Sequence, residues 1–407
     1  YLEEKRSEID FDIDGVVYKI DNFELQERLG FAANAPRWAI AHKFSANSSI
    51  SIVKNIEIQI GRTGALTPVA KINPVNIGGV IVSNATLHNE DEIERKDIRV
   101  GDVVKVERAG DVIPHVISVD LSKRNKKLKK FSFPVNCPSC GSPTKKDFNS
   151  ITKKFDAVRR CTNKDFKCEK IVIEKLKHFV SKEAFSIEGL GKKIIENFWS
   201  IKLIKYPQDI FNLDYNKIET LEGWGKLSVN NLKYSIDQAR NISLNKFIFS
   251  LGIRHIGQEN AKLISNTLKT AKNFFNLALN FQEEAISNID GIGQVQIDSL
   301  KDFFLANENK KILAELMKVL KISDNQEEKA NGSLKNMNFM FTGKLRAMSR
   351  AEAKSLIEKN SGKILSNVNK KLNYLIIGEK PTTKKIIKAK ELNIKVISQA
   401  EFIKLLN

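Results

Sequence analysis

Ile187-Glu-Gly-Leu-Gly191, Leu221-Glu-Gly-Trp-Gly225 and Ile289-Asp-Gly-Ile-Gly293 repeat one pattern along a 407-residue chain: apolar, any residue, Gly, apolar, Gly. Ile253-Arg-His-Ile-Gly257 follows it too, with His255 in the slot of the first glycine. The closing glycines stand 34, 32 and 36 residues apart. A period in this range marks a repeated supersecondary unit. Residues 171–322 read as helical throughout, so each Gly-x-Gly is a turn between two helices. One such turn is merely a helix cap; four at near-constant spacing form an array.

This array resembles helix–hairpin–helix motifs. Glycine lets the turn approach a phosphate closely, and the second helix begins there. Its free N–H groups and positive dipole end then face that phosphate. Gly191, Gly225, Gly257 and Gly293 are therefore candidate DNA-binding residues. Contacts of this kind grip the backbone and read no bases. His255 can equally be a capping or packing histidine, and the sequence leaves open whether its hairpin touches DNA.

Charge points the same way. Sixty-seven Lys and Arg against 48 Asp and Glu give a formal charge of +19, which favours a polyanionic partner. An acidic membrane face would call for a basic amphipathic helix or a lipid site, and neither is evident. No apolar run is long enough to cross a bilayer. With 42% hydrophobic and 28% charged residues the composition is that of a soluble globular protein. The length implies roughly three to five modules. The chain opens at Tyr1 on a charged stretch with neither an initiator Met nor a signal peptide, which reads as a fragment.

Upstream of the array lie all four cysteines, between residues 137 and 168. Such clustering argues against scattered disulfide staples and for a metal site in a reducing cytoplasm. Cys137-Pro-Ser-Cys-Gly141 is a tight turn that aims two thiolates at one point, and its glycine keeps a Cβ out of the way of amides approaching the second sulfur. Cys161 and Cys168 supply the other pair, spaced wider than is usual. Four thiolates around Zn2+ at about 2.3 Å make a closed structural site with no position for a reacting water. Two disulfides or four free thiols are the alternatives.

Residues 50–120 are rich in Val, Ile and Gly with regular turns; Val103-Val-Lys-Val-Glu107 and Val116-Ile-Ser-Val119 read as short strands of a small β-barrel. The basic run Lys123-Arg-Asn-Lys-Lys-Leu-Lys-Lys130 reads as a solvated linker with phosphate contact open to it. Residues 1–48 hold strand-like pieces around Gly15–Ile20 and Arg37–Phe44, with a short helix between. Two or three strands cannot bury a core alone, so this is expected to be part of a larger sheet. Downstream of the array, residues 323–333 are polar and read as a linker. Residues 334–407 alternate strands and helices, as in a separate α/β domain. There Phe339-Met-Phe-Thr-Gly343 is a strand and turn, and Ser349-Arg-Ala-Glu352 a capping box.

Singly, Asp14-Gly15 reads as a turn, and Lys19 and Lys43 as surface lysines. Together, Asp14-Gly-Val-Val-Tyr-Lys19 resembles motif IV of the covalent nucleotidyl transferases, and Ala41-His-Lys-Phe44 resembles motif V. Gly61-Arg-Thr-Gly-Ala-Leu-Thr-Pro-Val-Ala70, Ser83-Asn-Ala-Thr-Leu-His-Asn89 and Arg108-Ala-Gly-Asp-Val-Ile-Pro114 resemble the OB-fold of bacterial NAD+-dependent DNA ligases. The cysteine cluster, four hairpins and a BRCT-like domain follow in that family's order, so the resemblance spans the whole chain.

The resemblance implies a multidomain protein: a partial α+β nucleotidyl transferase sheet over 1–48, an OB-fold β-barrel over 49–125, and a four-cysteine zinc finger over 131–170. An all-α helix–hairpin–helix domain over 171–322, a linker and an α/β BRCT domain over 334–407 complete it. It implies ligation of nicked double-stranded DNA in replication and repair, with NAD+ as AMP donor, Mg2+ (or Mn2+) and Zn2+. Lys19 and Lys43 would contact AMP and its phosphate; Asp14 would help hold Mg2+ or a bridging water. Arg62 and Arg108 would grip the backbone at the nick. Cys137, Cys140, Cys161 and Cys168 would bind zinc. A monomer in the bacterial cytoplasm is expected, with no membrane partner. Thr342 with Lys384 or Lys385 could form a phosphopeptide site, which a single BRCT copy disfavours; contacts to DNA or to replication and repair proteins are the plainer expectation for that domain.

The departure from the family is large. Its nucleophilic lysine lies in Lys-x-Asp-Gly, and no such tetrapeptide occurs here. That motif, the motif III carboxylate and the domain holding the nicotinamide half are expected upstream of Tyr1, and without them this chain is expected not to adenylylate itself. The rival reading is a non-catalytic scaffold that binds nicks or junctions. Lys19, Lys43 and Asp14 together favour the enzyme, because a decayed core has no chemical need of them.

Overall fold

The computed structural model describes all residues except 4, 6–7, 12, 33–34, 109–112, 150–152, 164–165, 325–332, 347, 349, 366 and 407. The centre of the Arg108–Pro114 motif, most of the expected linker and Ser349 of the expected capping box lie outside the described residues. The chain divides into two compact units, Ala46–Gln326, and Tyr1–Ser45 with Glu327–Asn407.

At the start, β1 (Gly15–Lys19) pairs antiparallel with β4 (Ala39–Lys43). Helix α1 (Phe23–Leu29) and the short β2 (Phe31–Ala32) and β3 (Ala35–Pro36) lie between them in the chain. Leu25 N–H donates to Asn22 Oδ1 at 3.0 Å, capping α1. None of the described residues of 1–45 is buried; Tyr18 and Ile40 are 61% and 70% exposed. A two-stranded ladder has no second layer to cover its apolar side chains.

The barrel comprises β5 (Asn47–Ile60), β6 (Leu66–Ile77), β7 (Val80–Thr86), β8 (Val103–Arg108) and β9 (His115–Val119), with α2 (Glu90–Lys96) before β8. It closes in the order β5-β6-β7-β9-β8. The long β5 makes closure possible: Asn47–Ile52 pair with β8 and Val53–Ile60 with β6, with a register shift between Val53 and Asn55 where the strand changes partner. Val53, Ile56, Ala70, Ile72, Val104, Val106 and Val116 fill the interior. The run 123–130 departs from the expected free linker. Its lysines are exposed, but Arg124 turns inward to Asp97 and, at 2.7 Å, to Asp102. Arg99 Nη1 donates to Leu128 O at 2.8 Å. Fully buried Asp102 requires a cation, and Arg124 supplies it.

A two-stranded ribbon, β10 (Thr144–Asn149) and β11 (Lys154–Cys161), follows. The helical region then runs through α3 (Glu169–Val180), α4 (Lys192–Ser200), α5 (Tyr215–Glu219), α6 (Lys226–Ala239), α7 (Leu244–Ser250), α8 (Gln258–Leu268), α9 (Ala271–Leu279), α10 (Glu284–Ser287), α11 (Gln294–Leu305) and α12 (Asn307–Val319). One core, reaching from Phe166 to Leu320 in sequence, binds them. Parallel β12 (Asn241–Ser243) and β13 (Lys321–Ser323) tie its end back to its middle.

The terminal domain is a parallel sheet of β14 (Asn338–Thr342), β15 (Lys363–Ile364), β16 (Tyr374–Ile377) and β17 (Lys395–Ser398), ordered β15-β14-β16-β17. Side chains alternate between its faces. Phe339, Phe341 and Ile376 meet Ile357 of α13 (Arg350–Lys359) and Phe402 of α15 (Gln399–Leu406). Met340 and Leu375 meet Ala389 of α14 (Thr383–Glu391). Thr342 is 1% exposed and its hydroxyl accepts the Thr382 N–H at 3.1 Å. That oxygen is engaged within the fold, against a phosphopeptide role.

Candidate nucleic-acid interface and metal centre

Helices α4, α6, α8 and α11 each begin directly after a closing glycine of the repeat. The first-glycine slot is left-handed in all four turns: Gly189, Gly223 and Gly291 have φ of 88°, 81° and 90°, and His255 has 63°. Glycine is needed there by conformation, and His255 adopts it at a cost. The closing glycines differ. Gly191, Gly225, Gly257 and Gly293 are extended, with φ of −69°, −148°, −86° and −102°, which any residue adopts. Among the described residues, a Cβ at Gly191, Gly225 or Gly257 would meet nothing within 4 Å, and at Gly293 only Gln296 Oε1 at 3.4 Å. The fold itself does not require glycine at these four positions.

Buried Leu190, Ile256 and Ile292 seat three of the turns in the helical core, and half-buried Trp224 seats the second. In the second and fourth turns the closing glycine's N–H is taken internally, by Ser228 Oγ at 3.0 Å and Gln296 Oε1 at 3.2 Å. The first helical turns of α4, α6 and α11 carry no acidic residue, whereas α8 carries Glu259. Lys192, Lys193 and Lys226, at the starts of α4 and α6, are exposed.

The four cysteines converge, with all Sγ atoms within 4.8 Å of one another. Cys140–Cys161 and Cys137–Cys168 are 3.5 and 3.9 Å apart. A tetrahedron with metal–sulfur bonds of about 2.3 Å has edges of about 3.8 Å, so this donor set fits Zn2+. Gly141 is left-handed with φ 71° and has open space around a Cβ; conformation is what demands glycine, more than room for amides. Asn163 N–H donates to Cys161 Sγ at 3.4 Å. Burial pushes the Cys161 and Cys168 thiols up. At Cys140 burial also pushes up, but hydrogen bonds from Ser142, and then from Cys161 and Cys137, together outweigh it and bring the thiol down to about 7. The burial that disfavours the Cys161 and Cys168 thiolates is what a bound dication would offset.

This centre is keyed to the barrel. Cys161 N–H donates to Gly64 O at 2.9 Å, and Ile60 and Leu66 pack with Cys137, Cys161 and Cys168. Arg159 clasps buried Glu90 of α2 at 3.0 and 3.1 Å. The same β5–β6 turn carries Arg62, which is half-buried beside Gly252 and His178; among the described residues its Nε has no hydrogen-bond partner. Burial first, then the charge of Arg62, pushes the His178 imidazole down, against a 2.8 Å contact from its Nε2 to Phe249 O. Arg62 therefore sits at the seam of barrel and helical region, while Arg108 ends β8 opposite Asn47.

In the β1–β4 pair, Gly15 faces Lys43 and Lys19 faces Ala39. Cross-strand partners share a face, as do residues two apart, so Lys19 and Lys43 project from one face. They are four positions apart along the ladder, about 13 Å, a gap that two extended lysines can close on a common group. Phe44 N–H donates to Asp14 O at 3.0 Å, which fixes exposed Asp14 at the Lys43 end. Asp14 offers one hard oxygen, the sort of single carboxylate Mg2+ takes alongside nucleotide phosphates.

Sequence reasoning missed Arg254, Asp147, Asp156 and Arg160. Arg254 donates to Asp147 at 2.5 Å and to Asp156 at 3.1 Å. Arg160 donates to Asp156 at 3.0 Å and to Thr63 Oγ1 at 3.1 Å. The available signal was Arg254 itself, in a slot filled by Glu188, Glu222 and Asp290 in the other repeats.

Comparison with known proteins gives the same module order. The model of the NAD-dependent DNA ligase adenylation domain matches residues 1–47, and that of the NAD-dependent DNA ligase OB-fold domain matches 50–128. A helix-hairpin-helix motif matches 246–313 and a BRCA1 C Terminus (BRCT) domain 331–406. A DNA ligase of Pelagibacter ubique is 71% identical over 406 residues, covering 100% of this chain and 60% of the relative. DNA ligases of Afipia carboxidovorans and Parvibaculum lavamentivorans are 44% and 43% identical, covering 100% and 99% of this chain and 59% and 58% of the relatives. The chain thus spans about three-fifths of their length. Among the described residues no helix is long and apolar enough to cross a membrane.

Proposed function

We propose that this chain, which belongs to the NAD-dependent DNA ligase family, is the DNA-gripping and nick-sealing portion of an enzyme that joins 5′-phosphate and 3′-hydroxyl ends in duplex DNA. The observation that carries the DNA contact is that Gly191, Gly225 and Gly293, which the fold does not need, each open a helix whose first turn carries no acidic residue. An outside surface brought within a Cβ of the turn accounts for them, and a phosphate is what a helix N-terminus accepts. Gly191, Gly225 and Gly293 are the phosphate contacts in this reading.

In the proposed cycle a lysine amine attacks the adenylyl phosphorus of NAD+ and nicotinamide mononucleotide leaves. The 5′-phosphate at the nick then attacks the same phosphorus and frees the lysine. Finally the 3′-hydroxyl attacks the 5′-phosphate, AMP leaves and the hydroxyl proton passes to solvent. Every step builds negative charge on phosphoryl oxygens, so catalysis is mainly positioning and neutralisation. Lys19 and Lys43 hold the AMP moiety and its phosphate from one face of the β1–β4 ladder. Asp14 would help hold Mg2+ or a bridging water, and the metal would supply offset of phosphoryl charge. Arg62 and Arg108 brace the strand at the nick. Cys137, Cys140, Cys161 and Cys168 would hold Zn2+ in a closed structural site that shapes the ribbon.

The test uses nicked duplex already carrying AMP on its 5′-phosphate, incubated with this chain and Mg2+ and resolved on a denaturing gel. Sealing that disappears in Lys43→Ala supports a ligase site. Nick binding with no sealing at all leaves a DNA-binding scaffold.

A further inference from the structure

Three features set the third hairpin apart, and all oppose phosphate binding. His255 fills the left-handed slot with an exposed ring, where the other turns have no side chain. Glu259 stands in the first turn of α8, so the helix dipole is already met by a carboxylate. Arg254 takes the slot that is acidic in the other three repeats and is directed at the ribbon: Asp147 on β10 and Asp156 on β11 accept from it at 2.5 and 3.1 Å. Arg254 and both aspartates are only about a third exposed. Arg160, next to Cys161, completes the cluster on the same carboxylates and reaches Thr63 of the barrel turn.

We propose that the third hairpin is a joint and not a DNA grip, with Arg254 the positioning residue that locks the hairpin array to the cysteine-bearing ribbon and, through Arg160 and Thr63, to the barrel turn. The other three turns then meet the duplex in a fixed register with the barrel. Two guanidinium groups sharing two half-buried carboxylates form a network, which holds geometry better than an isolated surface pair. The proposal rests on the reading that the remaining hairpins bind DNA.

Four variants of the full chain separate these ideas, measured as affinity for nicked duplex and as amide hydrogen exchange. Gly257→Val is compatible with its extended backbone and open surroundings, and is expected to leave affinity within about twofold of the parent, while Gly225→Val weakens it about tenfold. Arg254→Gln should weaken binding about tenfold and speed exchange in residues 144–148 and 253–257. Asp147→Asn is decisive because the alternatives differ in sign. Removing a negative charge strengthens DNA binding if Arg254 contacts phosphate itself; it weakens binding, with faster exchange in the same segments, if Arg254 positions the hairpin. Tighter binding by Asp147→Asn, or a loss in Gly257→Val equal to that in Gly225→Val, overturns the joint. A silent Gly225→Val overturns the DNA reading of the hairpins instead, and the exchange data still report whether Arg254 locks the ribbon.

Discussion

Replacing Gly225 by valine isolates what the closing glycine is for. Its φ of −148° and ψ of 174° suit a β-branched residue, and an added Cβ has nothing within 4 Å among the described residues. Folding should lose no more than a poorer cap costs, about 1 kcal/mol. Gly223, two residues earlier, has φ 81°, and valine there costs roughly 1–2 kcal/mol from backbone conformation alone. Both losses are small against a domain stability of about 5–15 kcal/mol, so both variants fold and Gly223→Val has the lower Tm. DNA binding should separate them in the opposite order of stability. In Gly225→Val the new isopropyl group occupies the space a phosphate needs at the start of α6, so affinity falls about tenfold. The slope of log K against log salt becomes shallower by at most about 0.9, the share of one phosphate. The loss should be the same for every duplex sequence, as expected of contacts to backbone alone. Fluorescence anisotropy on nicked duplexes of several sequences across a salt series, with thermal melts alongside, measures all of this. An unchanged affinity and salt slope in Gly225→Val, or a loss confined to one DNA sequence, would refute the reasoning.

Metal analysis should find one Zn2+ per chain, and Cys161→Ser should lose it, unfold the ribbon and weaken DNA binding, since its strand also pairs with Gly64; a metal-free chain with an intact ribbon contradicts this. Incubation with NAD+ should add no AMP mass to the chain, because Lys19 and Lys43 are proposed as phosphate contacts and not as nucleophiles; adenylylation of any lysine, seen by mass spectrometry, overturns that assignment. Lys43→Ala should abolish whatever sealing of pre-adenylylated nicks the chain retains while leaving nick affinity in place. Burial pushes Lys175 down to about 8, with its ammonium 4.5 Å from the Phe166 ring. The unfolded chain then holds a proton that the folded one has lost between pH 8 and the ordinary lysine value near 10.5, so stability rises with pH across that window. Lys175→Met should raise the Tm at neutral pH and flatten that rise, which melts at about pH 7, 9 and 10.5 would measure.

Module order, the cysteine quartet and the positions of the four hairpins were legible because each is written within a short stretch. Cys137 and Cys140 share one turn, each Gly-x-Gly lies between two helices, and the motifs at Lys19 and Lys43 are contiguous. Local spacing fixes such features whatever surrounds them. Tertiary structure decided the rest. Arg254 meets Asp147 across 107 residues and Asp156 across 98. Arg124 leaves its basic run for Asp97 and Asp102, Arg62 lies at a seam beside Gly252, and Thr342 is consumed by Thr382. None of these pairings leaves a periodic trace, because the partners are joined by folding and not by spacing. Whether a closing glycine is required by the chain or by something outside it is likewise a question about the space around a missing Cβ, and only packed neighbours define that space.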